Sequence, residues 1–108
     1  MSSERIQVLT DDTFEQTVNQ PTPVLVDFWA EWCPPCRALA PTADALAGDY
    51  DSRVVVAKMN TDENPETPTR FSVRSIPTLL VLKDGREVDR LVGALPKQEI
   101  MRRLQAFI

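Results

Sequence analysis

The sequence predicts an α/β fold, a mixed β-sheet with helices on both faces, and three observations carry that reading. Strand-like apolar runs alternate with helix-period segments from Arg5 to Phe71. The run Val24 to Ala30 is apolar on both alternating faces, as expected of a central strand covered on both sides. Near the end, two strand patterns are joined at Lys83-Asp84-Gly85-Arg86, and Asp-Gly is a strong hairpin-turn signal. Alternation followed by a hairpin gives parallel strands and an antiparallel pair within one sheet. The chain of 108 residues is expected to form a single domain, 1–108, and its 43% hydrophobic content suffices for a core.

Arg5 to Thr10 reads as a short strand carrying Ile6, Val8 and Leu9. Asp11 is placed to cap a helix through about Gln20, with Phe14 and Val18 on one face and Pro21 and Pro23 stopping it. The strand Val24 to Ala30 comes next, then a helix from Pro34 to Asp49. Leu39, Ala43, Leu46 and Ala47 form its apolar stripe, and Pro41 interrupts its hydrogen bonding. Val54 to Asn60 is a further buried strand. Asn64 to Phe71 holds a short helix starting near Thr67-Pro68. Thr78 to Leu82 and Glu87 to Val92 are the hairpin strands. Pro96 opens a last helix with Ile100, Leu104 and Phe107 facing inward.

Composition excludes several functions. A net charge of -4 argues against nucleic acid or an anionic membrane as partner. No run reaches the length of a membrane span. The start Met1-Ser2-Ser3-Glu4-Arg5 lacks a signal peptide's basic and apolar regions, so a reducing cytoplasm is the expected location. With no histidine, proton transfer must use a carboxylate, a thiol, a lysine or water.

The chemistry centres on Cys33-Pro34-Pro35-Cys36, which contains the only two cysteines. Such a pair at a strand-to-helix turn reads as a redox couple. Positions i and i+3 share a helix face with Cβ atoms roughly 5–6 Å apart, close to disulfide range. A helix N-terminus offers free N–H groups and partial positive charge, which favour the thiolate that attacks disulfides. Cys33, at the very start, is expected to be the exposed, activated sulfur, and Cys36 the buried one that resolves the mixed disulfide. The other uses of such a pair are a structural staple or half of a zinc site. A ring this small removes little chain entropy, and zinc wants four ligands where this chain offers two.

Asp27 lies in the buried run before the cysteines. Burial is expected to raise its pKa and suit it to take the proton from Cys36, through a water if needed. Lys58, in the apolar run Val54 to Met59, would tune Asp27 if the two strands are neighbours; otherwise it snorkels to solvent. For Ile76-Pro77, local sequence alone favours a trans peptide.

Taken together, these motifs make the chain resemble the thioredoxin family over essentially its whole length. The matching stretches are Val26-Asp27-Phe28-Trp29-Ala30-Glu31-Trp32-Cys33, Pro35-Cys36, Pro41, Lys58, Asn64-Pro65, Ile76-Pro77-Thr78, Lys83-Asp84-Gly85 and Val92-Gly93-Ala94. The resemblance implies a thioredoxin fold, a central five-stranded mixed sheet flanked by four helices. It implies Cys33 as nucleophile, Cys36 as resolving thiol, Asp27 as buried proton acceptor and Lys58 beside it. It implies a cis Pro77 facing the disulfide, with Trp32, Ile76, Pro77, Gly93 and Ala94 receiving substrate chains. Trp29 is expected to pack in the core beneath the site, and Pro41 to be structural.

The implied activity is protein-disulfide reduction by dithiol–disulfide exchange in a monomer with no bound cofactor or metal. The oxidised pair would be recharged by a thioredoxin reductase carrying flavin and using NADPH, since this chain has no nucleotide-binding Gly motif. The pattern departs from the family's usual Cys-Gly-Pro-Cys at Pro34. Pro34 has no N–H and a fixed φ, so thiolate stabilisation, reduction potential and recognition by the reductase are all sensitive to it. Two rival readings stand beside this one: a less reducing oxidase or isomerase, and a binding subunit with dispensable cysteines.

Overall fold

A computed structural model describes residues 5–108; residues 1–4, on which the expected lack of a signal peptide partly rests, lie outside the described residues. The strands are β1 (Gln7–Val8), β2 (Val24–Trp29), β3 (Val55–Asn60), β4 (Thr78–Lys83) and β5 (Arg86–Val92). They form one sheet in the order β1-β3-β2-β4-β5. β1 and β2 run parallel to β3, whereas β4 is antiparallel to both β2 and β5. The expected mixed five-stranded sheet is therefore present. Asp84 and Gly85 both adopt positive φ, 53° and 78°, the backbone that a two-residue turn needs to match the twist of its strands.

The helices are α1 (Phe14–Val18), α2 (Pro34–Asp49), α3 (Glu66–Arg70) and α4 (Lys97–Leu104). β2 is buried along almost its whole length because both its faces are covered. On one face, Leu25 packs with Leu39, Leu46 and Tyr50 of the α2 segment and Ile100 and Leu104 of α4. On the other, Val24, Val26 and Phe28 pack with Phe14 and Val18 of α1. Each such fully buried aliphatic or aromatic side chain stabilises the fold by about 1.5–3 kcal/mol relative to exposure. The end of β2 is thus rigid, and it anchors the turn that leads into α2.

Two sequence expectations are corrected. Asp11 does not cap α1, which spans only Phe14–Val18 and has Thr13 at its N-cap. Thr10 and Thr13 close that turn themselves, Phe14 N–H donating to the Thr10 carbonyl at 3.0 Å. The Asp11 carboxylate instead accepts from the N–H groups of Glu66 and Thr67 and from the Thr67 hydroxyl, so it caps α3 from across the fold. Partial burial alone would raise the Asp11 pKa, but the hydrogen bonds from Thr67 and Glu66 bring it below its ordinary value. α3 starts at Glu66, within a residue of the expected start near Thr67-Pro68. The first strand narrows to Gln7–Val8.

Candidate functional site

The turn after β2 delivers the cysteines. Cys33 N–H donates to the Ala30 carbonyl at 3.2 Å, folding the chain back so that Cys33 becomes the N-cap of α2. Pro34 and Pro35 then occupy the first helical turn, where an N–H has no partner within the helix. Cys36 lies one turn on. The two sulfurs are disulfide-bonded, with Cα atoms 5.2 Å apart. Cys36 N–H donates to Cys33 Sγ at 3.2 Å, and such a backbone donor would favour negative charge on that sulfur.

The expected exposure of Cys33 is not what the oxidised structure has: Cys33 is 2% exposed and Cys36 3%. The fold-back at Ala30 turns Cys33 inward, and its Sγ sits 3.7 Å from the Ile76 carbonyl oxygen. Trp32 meets solvent instead, being 66% exposed. Its indole N–H donates to Asp62 at 3.0 Å, which fixes the ring beside the disulfide. Sequence reading did not single out Asp62, because the contact joins residues thirty positions apart with no local pattern.

The Ile76–Pro77 peptide bond is cis, where local sequence alone favours trans. Tertiary packing decides it: Pro77 is buried, and its carbonyl accepts the Gly93 N–H at 2.9 Å. Gly93 has φ +98°, a conformation that a side chain would strain. The structure therefore brings Ile76 against Cys33 and ties Pro77 to Gly93, with Ala94 and Val92 exposed alongside. Ile76, Ser75 and Val73 also wall a groove of about 390 Å³ with Trp32, Pro65 and Pro68.

Beneath the disulfide lies a second cleft, of about 320 Å³, lined by Cys36, Asp27, Lys58 and Trp29 among others. That volume is room enough for several waters. Asp27 and Lys58 are register neighbours on β2 and β3 and so project to the same face. Asp27 is 6% exposed, and its Oδ1 has no hydrogen-bond partner. Burial pushes its pKa up from 3.8 to about 7, against the pull of the Lys58 charge. The Lys58 ammonium also stands over the Trp29 ring, 5.4 Å from its centroid. Trp29, expected in the core, is half-buried and forms a wall of this cleft. Pro41 lies inside α2 on its exposed side and leaves the Arg37 carbonyl without its usual helical donor. Among the described residues, no group of three metal-ligating side chains is arranged to hold an ion.

The arrangement can exchange disulfides. One sulfur sits at a helix N-terminus under a backbone donor, the second a turn away, and a carboxylate with a pKa near neutrality lines the cleft below.

Comparison with known proteins agrees. The thioredoxin family model matches residues 5–106. Thioredoxin 1 of Synechococcus elongatus is 52% identical over 101 residues, covering 93% of this chain and 94% of its own. Thioredoxin 1 of Nostoc is 49% identical over 101 residues, with the same two coverages. The chloroplastic M-type thioredoxin of Pisum sativum is 44% identical over 104 residues, 95% of this chain and 60% of its own.

Proposed function

Because the chain belongs to the thioredoxin family, a family of thiol–disulfide oxidoreductases, we propose a division of labour among its site residues. The chain is a protein-disulfide reductase working through Cys33 and Cys36, and it needs no bound cofactor. In the proposed cycle the Cys33 thiolate attacks a target disulfide. A Cys33–target bond forms, the target S–S bond breaks, and one target thiolate leaves. Asp27 accepts the Cys36 proton, directly or through water in the cleft they share. The Cys36 thiolate then attacks Cys33 Sγ, the second target thiolate leaves, and the Cys33–Cys36 disulfide forms. Two electrons have passed to the target.

The observation that carries this reading is the hydrogen bond from Cys36 N–H to Cys33 Sγ at the α2 N-terminus. It stabilises charge on Cys33 and not on Cys36. An Asp27 pKa of about 7 supports its role, since a carboxylate titrating near neutral pH can both take and release a proton there. Lys58 lowers that pKa by its charge and so tunes the acceptor. Trp32, Ile76, Pro77, Gly93 and Ala94 form the surface on which an extended target segment lies. Pro34 and Pro35 stiffen the active-site turn.

The chain acts as one domain, as a monomer in a reducing cytoplasm, and serves electron transport and redox homeostasis. A flavin-dependent thioredoxin reductase recharges it with electrons from NADPH. The test is insulin-disulfide reduction driven by dithiothreitol. Acceleration over dithiothreitol alone, lost in the Cys33→Ser, Cys36→Ser double variant, is expected. No acceleration would sink the proposed cycle.

A further inference from the structure

We propose that Arg90, held by Glu87, is a positioning residue for the target-binding loop that carries Ile76. This rests on the reading of Ile76 as a target contact. The loop starts after α3 and reaches Ile76 without regular structure. Its entrance is at Phe71, the C-cap of α3, and Ser72, which takes φ 55°. A helix end leaves carbonyls without partners, and this one does so at the base of the groove wall.

Arg90 of β5 supplies the donors. Its Nη2 donates to the Phe71 carbonyl at 2.5 Å and its Nη1 to the Ser72 carbonyl at 3.3 Å. The other edge of the same guanidinium is bidentate on Glu87, with Nε and Nη2 each 2.8 Å from a carboxylate oxygen. Only a planar fork can hold both partners at once, and a lysine cannot substitute. The side chains are 29% and 30% exposed, so the pair is only partly screened. The neighbouring Asp89 adds rigidity: it accepts the Arg90 N–H at 2.7 Å and pairs with Arg103 of α4.

The clamp therefore fixes one end of the loop to the sheet. The other end is fixed where the Thr78 hydroxyl donates to the Ser75 carbonyl at 2.7 Å. Val73 to Ile76 are strung between these two points, and they wall the groove beside Trp32. No hydrogen bond runs from Arg90 to Cys33, Cys36 or Asp27. Its loss should loosen the place where a target chain lies and leave the sulfur chemistry alone.

The test compares Arg90→Met, which keeps the apolar stem, and Arg90→Lys with the wild-type protein, all well below their unfolding temperatures. Two probes are used: insulin, whose chain must lie on the loop, and hydroxyethyl disulfide, which needs no extended contact. For Arg90→Met the KM for insulin should rise about threefold to tenfold, less than the full loss of a charged hydrogen bond, because Arg90 holds the loop and does not touch the target itself. The maximal rate, the hydroxyethyl disulfide rate and the reduction potential should stay within error. Arg90→Lys should recover little of the insulin KM, and amide exchange at Val73 to Ile76 should quicken in both variants. An unchanged KM overturns the proposal. So does a fall in the hydroxyethyl disulfide rate that matches the loss with insulin, which would make Arg90 merely structural. Failure of the wild-type protein on both probes overturns the reductase reading and the clamp together.

Discussion

Replacing Asp27 with asparagine keeps the shape of the side chain and removes the charge that burial opposes. In the folded protein the carboxyl titrates at about 7, against 3.8 ordinarily. Below the lower value both folded and unfolded chains hold the proton, and no penalty exists. Between the two values the unfolded chain releases its proton while the folded chain retains it, so stability falls as pH rises. Above about 7 the fall levels off. At 1.36 kcal/mol per pH unit, the full loss comes to about 4 kcal/mol. Of this, about 3 kcal/mol should accrue between pH 5 and pH 8. Asparagine has no such slope, whatever constant cost it brings. Urea unfolding of the two oxidised proteins at both pH values measures the difference directly. The Asp27→Asn midpoint should gain on wild type by about 1–3 M urea between pH 5 and pH 8. A difference between the two proteins that does not change with pH would refute the reasoning, because Asp27 would then titrate normally.

The same geometry sets further outcomes. Lys58→Met should move the Asp27 titration upward, as tracked by the carboxyl carbon signal in NMR, since it removes the charge that favours ionisation; a midpoint at or below wild type would contradict the pairing. Pro34→Gly should shift the reduction potential measured against a glutathione buffer, and a shift within error would make this departure from the family pattern neutral. Asp11→Ala should cost about 1–2 kcal/mol at neutral pH by uncapping α3. The Asp11 pKa is lowered in the fold, so its contribution is present above the ordinary carboxylate range and lost as pH falls through the folded value. The gap between Asp11→Ala and wild type should accordingly close in acid, and a gap that persists there would count against the cap.

What could be read from the sequence was what local physics encodes. Pro34 at the first helical position and the stripe Leu39, Ala43, Leu46, Ala47 set both ends of α2, and Asp84-Gly85 set the hairpin. Asp27 stood out because a carboxylate in an apolar run is costly wherever the strand lies, and its proximity to Lys58 came with the pairing of β2 and β3. The features that escaped depend on residues distant in sequence. Local sequence points Asp11 to the nearest helix, but the Thr10–Thr13 turn leaves its carboxylate to α3. A helix start predicts Cys33 in solvent, yet the Ile76 carbonyl reaches it from another segment. Asp62 holds Trp32, and Arg90 holds the end of α3, through contacts that no helical or strand period announces. The isomer of Ile76–Pro77 is likewise chosen by packing and not by its dipeptide.

The central claim is an asymmetry between two sulfurs three residues apart, with Cys33 attacking and Cys36 resolving. Trapping tests it most directly. A Cys36→Ser protein mixed with an oxidised target should accumulate a stable mixed disulfide through Cys33, seen by mass spectrometry of the intact adduct and its peptides. A Cys33→Ser protein should accumulate little under the same conditions. Equal trapping by the two variants, or faster trapping through Cys36, would contradict the assignment of Cys33 as the nucleophile.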